Sequence, residues 1–576
     1  MATTTALVTA SLILSGIAGA QTQLISVSSA GMAANEYSVQ NPLDGTGRRV
    51  TFMNPATNLV PGDTNNAPDI FLRDTETGTT RRVSVSSSGV QSNGHSRVSS
   101  ISADGMWVAF DCLATNLDPV ATDGRWHAYV HNFATGATVL VDVDPLGFPS
   151  DSGGEFPSIS ANGRWVAFFS RSTNLIPGGT AGFGNVFVRD MQLGVTVLAS
   201  VNSAGIPGDA ASGAFPSISP DGQFVAFASS ATNLVAGDTN GFRDVFIRDL
   251  AAGQTQRVSL HSNGGQGNGI SELGLALPLT NLLSVPQAVS SGGRYVGYSS
   301  DASNLMSGDI NGKRDAFVFD RVTAVTLRVS VSSTGAQAAL GGHSPALSAD
   351  GRFVAFASAS ADLVPGDTNN LDDVFCHDTW LGYTTRVSLG NSGGQVGGKV
   401  HQISSDGSRV AFGAVQAFIR EHTSITPTPI IYCTAKTNSD NCLPAITAQG
   451  TPSSSAASGF VLRGTGFRDH LPGALLFGLC GPAATTFYGG TLCIEAPIHF
   501  VALGPAGGGS PAGPDCSAGY SIDMNSYASG LLGGNPPPAL RSPGTAVYAQ
   551  FWSRDNGFSR PDNVGHSAGI TYIVRS

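Results

Sequence analysis

Acidic and amide side chains recur at fixed spacing in four loops of the chain. Each loop reads Gly-Asp-x-Asn, and a further Asp follows four residues after the Asn. Carboxylate and amide oxygens on a tight turn are ligands that Ca²⁺ prefers, although these loops lack the Glu that completes an EF-hand. The alternative is that Asp and Asn form Asx-turns with their own backbone. The candidate calcium ligands are Asp63, Asn65, Asp69, Asp238, Asn240, Asp244, Asp309, Asn311, Asp315, Asp367, Asn369 and Asp373.

Two segments match the Gly-x-Ser-x-Gly pattern of a serine nucleophile, at Gly565–Gly569 and Gly390–Gly394. A nucleophile elbow needs a strand before it, a helix after it, and an acid and a His downstream. Only seven residues follow Gly569, and no helix signal follows Gly394. Both matches are therefore attributed to a composition rich in Gly and Ser, and no catalytic residue is assigned.

Seven positions share a fixed offset, five residues before the end of a recurring Ser-Ile-Ser-like segment. They hold Tyr37, Arg97, Glu155, Ala214, Val285, His343 and Lys399. Five of the seven are polar or titratable, so these residues could ring one end of a channel and bind a small molecule or a peptide. The alternative is a solvated rim. Tyr37, Arg97, Glu155, His343 and Lys399 are the candidate ligand-binding residues.

An internal repeat positions both sets of residues. Its turns are separated by 60, 58, 59, 71, 58 and 56 residues, a period typical of repeat architectures. The turns are Asp44-Gly45, Asp104-Gly105, Asn162-Gly163, Asp221-Gly222, Gly292-Gly293, Asp350-Gly351 and Asp406-Gly407.

Each repeat predicts four β-strands. They carry the patterns Pro-Ser-Ile-Ser, Val-Ala-Phe, Asp-Val-Phe-x-Arg-Asp and Thr-x-Arg-Val-Ser-Val, with turns between them. Alternating apolar and polar positions, β-branched residues and Gly-containing turns favour antiparallel strands. Four such strands repeated around a ring describe a β-propeller.

The two ends of the repeat region predict ring closure. Residues Gln23–Ala30 match the fourth strand of a repeat, whereas His401–His422 supply only three strands. A lone N-terminal strand would complete the last blade and remove an open sheet edge. We therefore expect seven blades, with six or eight as alternatives.

The combination of Ser-x-Asp-Gly-Arg-x-Val-Ala-Phe with Asp-Val-Phe-Val-Arg-Asp resembles the TolB-like, PD40-type propeller repeat over residues 23–422. The resemblance implies a propeller fold. Propellers of this kind serve as protein-docking platforms, as gates on peptidases and as extracellular domains, so it implies no single function.

One repeat carries an apolar insertion between Gly269 and Ser290, which explains the spacing of 71 residues. It is interpreted either as a loop that packs over one mouth of the ring or as a patch for a partner or for self-association.

Composition excludes two classes of partner. The net charge is −10, only 12% of residues are charged, and the only lysines are Lys313, Lys399 and Lys436. Nucleic-acid binding needs a clustered basic surface, which is absent, and an anionic membrane is disfavoured for the same reason.

Residues 1–20 resemble a signal peptide. An apolar run from Ala6 to Ile17 precedes the cleavage pattern Ala18-Gly19-Ala20, although no basic residue comes before the run. The alternative is a buried N-terminal strand. We therefore expect an extracytoplasmic protein (periplasmic, cell-surface or secreted) whose mature chain has no transmembrane segment.

The repeat ends in a Pro-rich linker at residues 423–432, and residues 433–576 form a second predicted domain. Its short apolar segments between Gly/Pro runs predict a small β-sandwich. It contains Cys433, Cys442, Cys480, Cys493 and Cys516, which in an exported protein suggest disulfides, with Cys433/Cys442 and Cys480/Cys493 as the shortest loops. The segments YCTAKTNSDNC and LLFGLCGPAATTFYGGTLCI resemble a C-terminal module of secreted planctomycete-type proteins.

Two function classes follow from these features. The favoured one is a secreted, non-enzymatic propeller that binds a protein, a glycan or an envelope component and requires no cofactor. The alternative is a hydrolase or lyase with its site at the channel mouth. An enzyme needs acids, bases or metal ligands confined to one or two blades, and the near uniformity of the repeats favours the scaffold.

Overall fold

A computed structural model shows two compact units, residues 1–423 and 424–576. None of the helices in the described residues is long and apolar enough to cross a membrane. The structure describes residues 21–422 except 40–41, 275–286, 392 and 414–415, and then residues 430–432, 436, 443–450, 452–453, 456–467, 471–479, 482–487, 490–494, 498–505, 518–541, 546–554, 564–567 and 569–573.

The first unit consists of seven antiparallel sheets, six of them four-stranded. We number them sheets 1 to 7 in chain order; β1 (Thr22–Leu24) belongs to sheet 7. Sheet 1 contains β2 (Arg49–Asn54), β3 (Asp69–Asp74) and β4 (Thr79–Arg82), and sheet 2 contains β5 (Ser96–Ile101), β6 (Trp107–Cys112), β7 (His127–Asn132) and β8 (Thr138–Leu140). Sheet 3 contains β9 (Glu155–Ile159), β10 (Trp165–Ser170), β11 (Asn185–Asp190) and β12 (Val195–Leu198), and sheet 4 contains β13 (Ser217–Ile218), β14 (Phe224–Ser229), β15 (Asp244–Asp249) and β16 (Gln254–Arg257).

The remaining three sheets follow the same order. Sheet 5 contains β17 (Ser271–Glu272), β18 (Tyr295–Ser300), β19 (Asp315–Asp320) and β20 (Val325–Arg328), and sheet 6 contains β21 (His343–Leu347), β22 (Phe353–Ser358), β23 (Asp373–Asp378) and β24 (Tyr383–Arg386). Sheet 7 contains β25 (Lys399–Ile403), β26 (Arg409–Gly413), β27 (Ala417–Glu421) and β1. The predicted all-β fold of four-stranded, propeller-type sheets is confirmed, although the first strand of sheet 1 is reduced to isolated bridges at Val39 and Leu43.

An aromatic pair occupies the same place in all seven sheets. One ring comes from the Val-Ala-Phe strand and the other from the strand next to it, with centroids 5.7–5.9 Å apart. Such stacked pairs add about 0.5–1.5 kcal/mol beyond their burial. The pairs are Phe52–Phe71, Phe110–Tyr129, Phe168–Phe187, Phe227–Phe246, Tyr298–Phe317, Phe356–Phe375 and Phe412–Phe418.

The N-terminal strand completes sheet 7. Strand β1 pairs antiparallel with β27, with Thr22 opposite Arg420 and Leu24 opposite Phe418. The next residue, Ile25, is fully buried and donates its backbone N–H to the carbonyl of Ala417. The two ends of the propeller unit are therefore joined within one sheet, as the sequence predicts.

The turns between first and second strands form a closed circle of hydrogen bonds. Backbone N–H groups donate from Gly45 to Ala103, Ala103 to Ala161, Ala161 to Pro220, Ser291 to Ala349, Ala349 to Ser405, and Ser405 back to Gly45, at 2.8–3.0 Å. Proline has no N–H, and the remaining link is made by Gly292 N–H, which donates to Asp221 Oδ2 at 3.0 Å. Inside this circle the axis holds a cavity of only about 30 Å³. We call this end of the propeller the closed end.

A glycine in each of these turns contacts the neighbouring sheet. Gly163 has a φ of 73°, and a Cβ atom there would come within 2.3 Å of Trp107 Cγ. The equivalent glycine of sheet 1 is Gly47, with a φ of 67° against Arg409. The turn of sheet 1 is therefore Thr46-Gly47, and its assignment to Asp44-Gly45 was wrong by two residues, because an earlier Asp-Gly pair precedes the true turn.

The apolar insertion lies within the first strand of sheet 5. Strand β17 pairs with the end of β18, and the chain returns at Val289, which bridges to Val296 before the 3-10 turn at Ser291–Gly293. The intervening residues 275–286 lie outside the described part of the chain, so packing over a mouth and self-association both stay predictions.

The second unit is a small β-sandwich-like domain, as predicted. One sheet has the order β28–β38–β36–β31–β34 with β37 beside β36, a second has the order β29–β30–β35, and β32 pairs with β33. Side chains of the first two sheets share one core that includes Leu462, Phe477 and Phe551. The elements are β28 (Ile430–Tyr432), β29 (Ala445–Gly450), β30 (Phe460–Phe467), β31 (Pro472–Gly478), β32 (Pro482–Phe487), β33 (Gly490–Ile494), β34 (His499–Pro505), β35 (Ala518–Asp523), α1 (Met524–Ala528), a 3-10 helix (Pro538–Arg541), β36 (Ala546–Arg554), β37 (Val564–His566) and β38 (Gly569–Ile573).

Two of the seven cysteines can be described. Cys112 and Cys376 are buried and not in disulfides. The side chains of Cys433, Cys442, Cys480, Cys493 and Cys516 lie outside the described residues, so their disulfides stay a prediction.

Candidate functional site at the open mouth

The first strands begin at the end opposite the closed end. Glu155, at the start of β9, lies opposite Phe169 near the end of β10, and Ser170 lies opposite Asn185 at the start of β11. The starts of the first strands and the loops between second and third strands therefore share one end of the propeller. We call this end the mouth. It brings three groups of charged side chains together.

The first group is centred on Arg97 in sheet 2. Its guanidinium pairs with buried Asp111 at 3.0 Å and with Glu155 of sheet 3, and it lies 3.9 Å from the ring centroid of Trp126 and 4.5 Å from that of Phe156. Burial alone would lower the pKa of Arg97, but the neighbouring carboxylates hold it above its usual value. Arg97 is therefore a fixed positive charge that joins sheets 2 and 3.

The second group joins sheets 4 and 5. Glu272 Oε1 lies 2.9 Å from Arg243 Nη1, and its other oxygen lies 3.5 Å from Arg314 Nη1. Arg314 also forms a pair of hydrogen bonds with Asp301, at 2.8 and 2.6 Å. Glu272 thus bridges two guanidinium groups from neighbouring sheets.

The third group joins sheets 6 and 7. Asp372 forms an ion pair with Lys399, and its other oxygen lies 3.9 Å from His343 Nε2. Interaction with His343, and then with Lys399, holds the pKa of Asp372 well below its usual range. Asp372 is therefore an anion at any physiological pH.

The structure places four of the five predicted rim residues at the mouth: Arg97, Glu155, His343 and Lys399. Tyr37 does not occupy the equivalent position, because its offset was counted from the wrong turn; buried Val39, which pairs with Met53, lies there instead. Val285 lies outside the described residues, and Glu272 takes the equivalent pairing position in sheet 5. That the rim binds a ligand stays a prediction.

Other residues of the mouth were missed in the sequence. Trp126, Arg243, Arg314 and Asp372 each precede a third strand, and Asp111 lies at the end of a second strand. The signal was available, since this position varies between repeats while the strand after it keeps its pattern.

The four Asp-x-Asn loops form arginine–aspartate clusters. In sheet 4, Arg257 Nη1 lies 2.9 Å from Asp238 Oδ1 and 3.2 Å from Asp244 Oδ2. Asn240 Nδ2 and Ser259 Oγ donate to the same Asp244 carboxylate at 2.9 and 2.6 Å. Arg82, Arg328 and Arg386 likewise face two carboxylates each, within 3.1–3.9 Å.

A guanidinium thus supplies the positive charge that calcium was expected to supply. Among the described residues, no group of three or more His, Cys, Asp or Glu side chains could hold a metal ion. The geometry favours the structural interpretation of Asp63, Asn65, Asp69 and their equivalents over the calcium interpretation, because in each cluster an arginine lies within 3.9 Å of both carboxylates.

Two histidines of the third strands are also structural. His131 and His377 are both buried, and each Nδ1 lies 2.9 Å from a threonine hydroxyl on the fourth strand. Burial lowers the pKa of each to about 4. In the second unit, Ser567 of one Gly-x-Ser-x-Gly match is fully buried and accepts a hydrogen bond from Phe551 N–H, in agreement with a structural role.

Comparison with solved structures finds distant matches, which include the following three. A putative TolB from Agrobacterium tumefaciens is 15% identical with a TM-score of 0.33, and the match covers 60% of this chain and 93% of that one. An oligogalacturonate lyase from Vibrio parahaemolyticus is 11% identical with a TM-score of 0.38, covering 68% and 91%. The β-propeller domain of the Trilobed protease from Pyrococcus furiosus is 10% identical with a TM-score of 0.39, covering 68% and 96%.

Each of these TM-scores is below 0.5, so the matches add no argument of their own, and the seven sheets of this chain carry the propeller assignment. No protein-family model and no curated protein matches the chain. The resemblance of the C-terminal part to a planctomycete-type module stays a prediction.

Proposed function

We propose that this protein is an extracytoplasmic, non-enzymatic propeller that binds a partner at its mouth. The proposal includes export, for which the N-terminal apolar run and its Ala-x-Ala pattern are the support. The partner is a protein, a glycan or another envelope component with polar groups of both signs.

The difference between the two ends of the propeller carries the proposal. Hydrogen-bonded turns leave a cavity of only about 30 Å³ on the axis at the closed end. The mouth instead carries three charged groups, centred on Arg97, Glu272 and Asp372, that are only partly buried. A partner that approaches the mouth therefore meets three charged groups, each of which links two neighbouring sheets.

The ion pairs that the charged groups form at the mouth favour binding over catalysis. A general acid or base must exchange a proton with substrate at a pKa near the operating pH. Glu155 and Glu272 instead each lie beside two guanidinium groups, and Asp372 has a strongly lowered pKa. Fixed, mutually oriented charges of this kind suit recognition of a complementary surface and its steering.

The test is affinity capture with the full chain from the native envelope fraction and the culture medium. A mouth variant combines Glu155→Gln, Glu272→Gln and Lys399→Gln, one substitution in each charged group. The control, Glu76→Gln, changes an exposed residue in a turn beside the closed end. We expect the same component on wild type and control and at least a tenfold loss on the mouth variant. Equal capture by all three proteins, or none by wild type, would refute the proposal.

A further inference from the structure

Sheet 3 contains a cleft in the place where sheets 1, 4, 5 and 6 have an arginine–aspartate cluster. The cleft has a volume of about 520 Å³, within the range of about 300–1,000 Å³ that ligand pockets occupy. It is lined by Thr173, Gly178, Gly179, Thr180, Ala181, Phe183, Asn185, Pro207 and Gly208.

The same place is filled in sheet 4. The carboxylate of Asp238 binds Arg257 there, and Gln266 donates from Nε2 to the carbonyl of Gly237 at 2.6 Å. Asn240 reaches across to Asp244 and to the carbonyl of Gly267, at 2.9 and 3.1 Å. These side chains close the loop against the body of the sheet.

Sheet 3 has none of these five side chains of sheet 4 at the equivalent positions. Alignment of the two loops replaces Asp238 by Gly179, Asn240 by Ala181 and Gln266 by Pro207, while Leu198 stands in place of Arg257 and Asn185 in place of Asp244. Loss of the acids alone would leave a buried, unpaired arginine, so the coordinated loss keeps the sheet stable. It also removes the side chains that fill the loop in sheet 4.

The lining is uncharged and offers mainly hydrogen-bond acceptors. The Thr180 hydroxyl donates to the carbonyl of Ser172 at 2.8 Å, and the Thr173 hydroxyl donates to Asp151. Each hydroxyl oxygen therefore keeps its capacity to accept. Asn185 is buried and held by Ser200 Oγ at 3.0 Å, and the half-buried Phe183 adds an aromatic ring.

We propose that this cleft binds a neutral saccharide unit. Sugar hydroxyls are donors that suit the threonine oxygens, the apolar face of a pyranose suits the Phe183 ring, and the absence of charge among the lining residues disfavours ions. The cleft lies beside the loop between the second and third strands of sheet 3, and none of its lining residues belongs to the three charged groups of the mouth.

The test is saturation-transfer NMR and calorimetry on the full chain. The probes are glucose, galactose, mannose, N-acetylglucosamine and their disaccharides, with glucuronate as a charged comparison. We expect at least one neutral sugar to bind and glucuronate to bind at least fivefold more weakly. Ala181→Trp places a large side chain in the cleft and should abolish binding. Leu193→Trp, at a residue that is 68% exposed in the turn between β11 and β12 and does not line the cleft, is the matched control and should leave binding unchanged.

A second variant keeps the proposal testable if Ala181→Trp fails to fold. Leu198→Arg, Asn185→Asp and Pro207→Gln together restore groups that fill sheet 4, and this variant should also lose sugar binding. The mouth variant should keep it, which separates this proposal from the proposed function. Absence of binding by every neutral sugar, preferential binding of glucuronate, or unchanged binding by Ala181→Trp would overturn the proposal.

Discussion

His127 Nδ1 lies 2.7 Å from a carboxylate oxygen of Asp142 in sheet 2. In sheet 1 the same two positions hold Asp69 and Ser84, joined by a hydrogen bond of 2.6 Å. In sheet 2 the acid is therefore Asp142, just after the fourth strand. His127 also contacts Asp123 at 2.9 Å, so its imidazole lies between two carboxylates. In sheet 2 a titratable imidazole therefore takes the place of the permanently charged arginine of the other clusters.

Sheet 2 should make stability depend on pH. Burial alone would lower the pKa of His127, but Asp142, and then Asp123, raise it to about 8. Because this value exceeds the usual 6.5, the imidazolium stabilises the fold fully below pH 6.5, by about 2 kcal/mol, and this contribution disappears as the pH rises through 8. We expect the free energy of unfolding, measured in urea from pH 6 to pH 9, to fall over this window.

A triple variant provides the control. His127→Asp, Leu140→Arg and Asp142→Ser recreate the residues Asp69, Arg82 and Ser84 of sheet 1 and should flatten the profile. His131, His377, His401 and His422 have a pKa lowered by burial to about 4 and stay neutral throughout this range. An equally steep decline in the triple variant would contradict the assignment to His127.

Removal of one arginine from a cluster should be costly. Arg257→Leu leaves the carboxylates of Asp238 and Asp244 buried without their cation, and we expect a loss of about 3–5 kcal/mol in the free energy of unfolding. Adding Asp238→Gly and Asp244→Asn reproduces sheet 3 and should recover part of this loss. The control Arg164→Gln breaks a pair whose arginine is 36% exposed and should cost less than Arg257→Leu. Equal losses in the single and triple variants would show that the charges are not coupled.

Calcium should not affect thermal stability. The positive charge beside Asp63, Asp238, Asp309 and Asp367 comes from arginine. We therefore expect the same melting temperature in EDTA and in millimolar Ca²⁺ by differential scanning fluorimetry. A rise of several degrees with Ca²⁺, absent with Mg²⁺, would restore the calcium interpretation of these loops.

The N-terminal strand should stabilise the whole ring. Ile25 is fully buried beside β27, so Ile25→Ala should cost about 2–5 kcal/mol. Gln23→Ala changes an exposed residue of the same strand and should cost less than about 0.5 kcal/mol. Urea unfolding of the two variants measures the difference. Similar stabilities would mean that the strand is not needed for closure.

The repeat pattern was sufficient to predict the fold, because each strand type has its own sequence and Gly163 and its equivalents mark the turns. It failed at sheet 1, because Asp44-Gly45 has the same residue types as the turns of the other sheets, whereas the turn lies at Thr46-Gly47. The resulting offset assigned the rim position to Tyr37, although Val39 occupies it. The candidate site was only partly predictable. Pairs such as Asp372–Lys399 join different repeats, and the spacing within one repeat carries no information about its neighbour.

The arginine–aspartate clusters show the same limit. The Arg of the fourth-strand pattern and the Asp of the loop are both visible in the four repeats that form a cluster, but their contact depends on how the fourth strand pairs with the third. Arg257 and Asp244 lie 13 residues apart and meet only after the hairpin forms. When the pairing of the two strands is unknown, two carboxylates near an amide in the sequence suggest a metal site.

The most direct test of the central claim is a hydrogen-exchange footprint of the captured partner on the full chain. Binding at the mouth predicts slower exchange in peptides that contain Arg97, Glu155, Glu272, His343 and Lys399. Peptides that contain the closed-end turns at Gly105, Gly163 and Gly351 should be unchanged. Protection confined to those turns, with none at the starts of the first strands, would contradict the account.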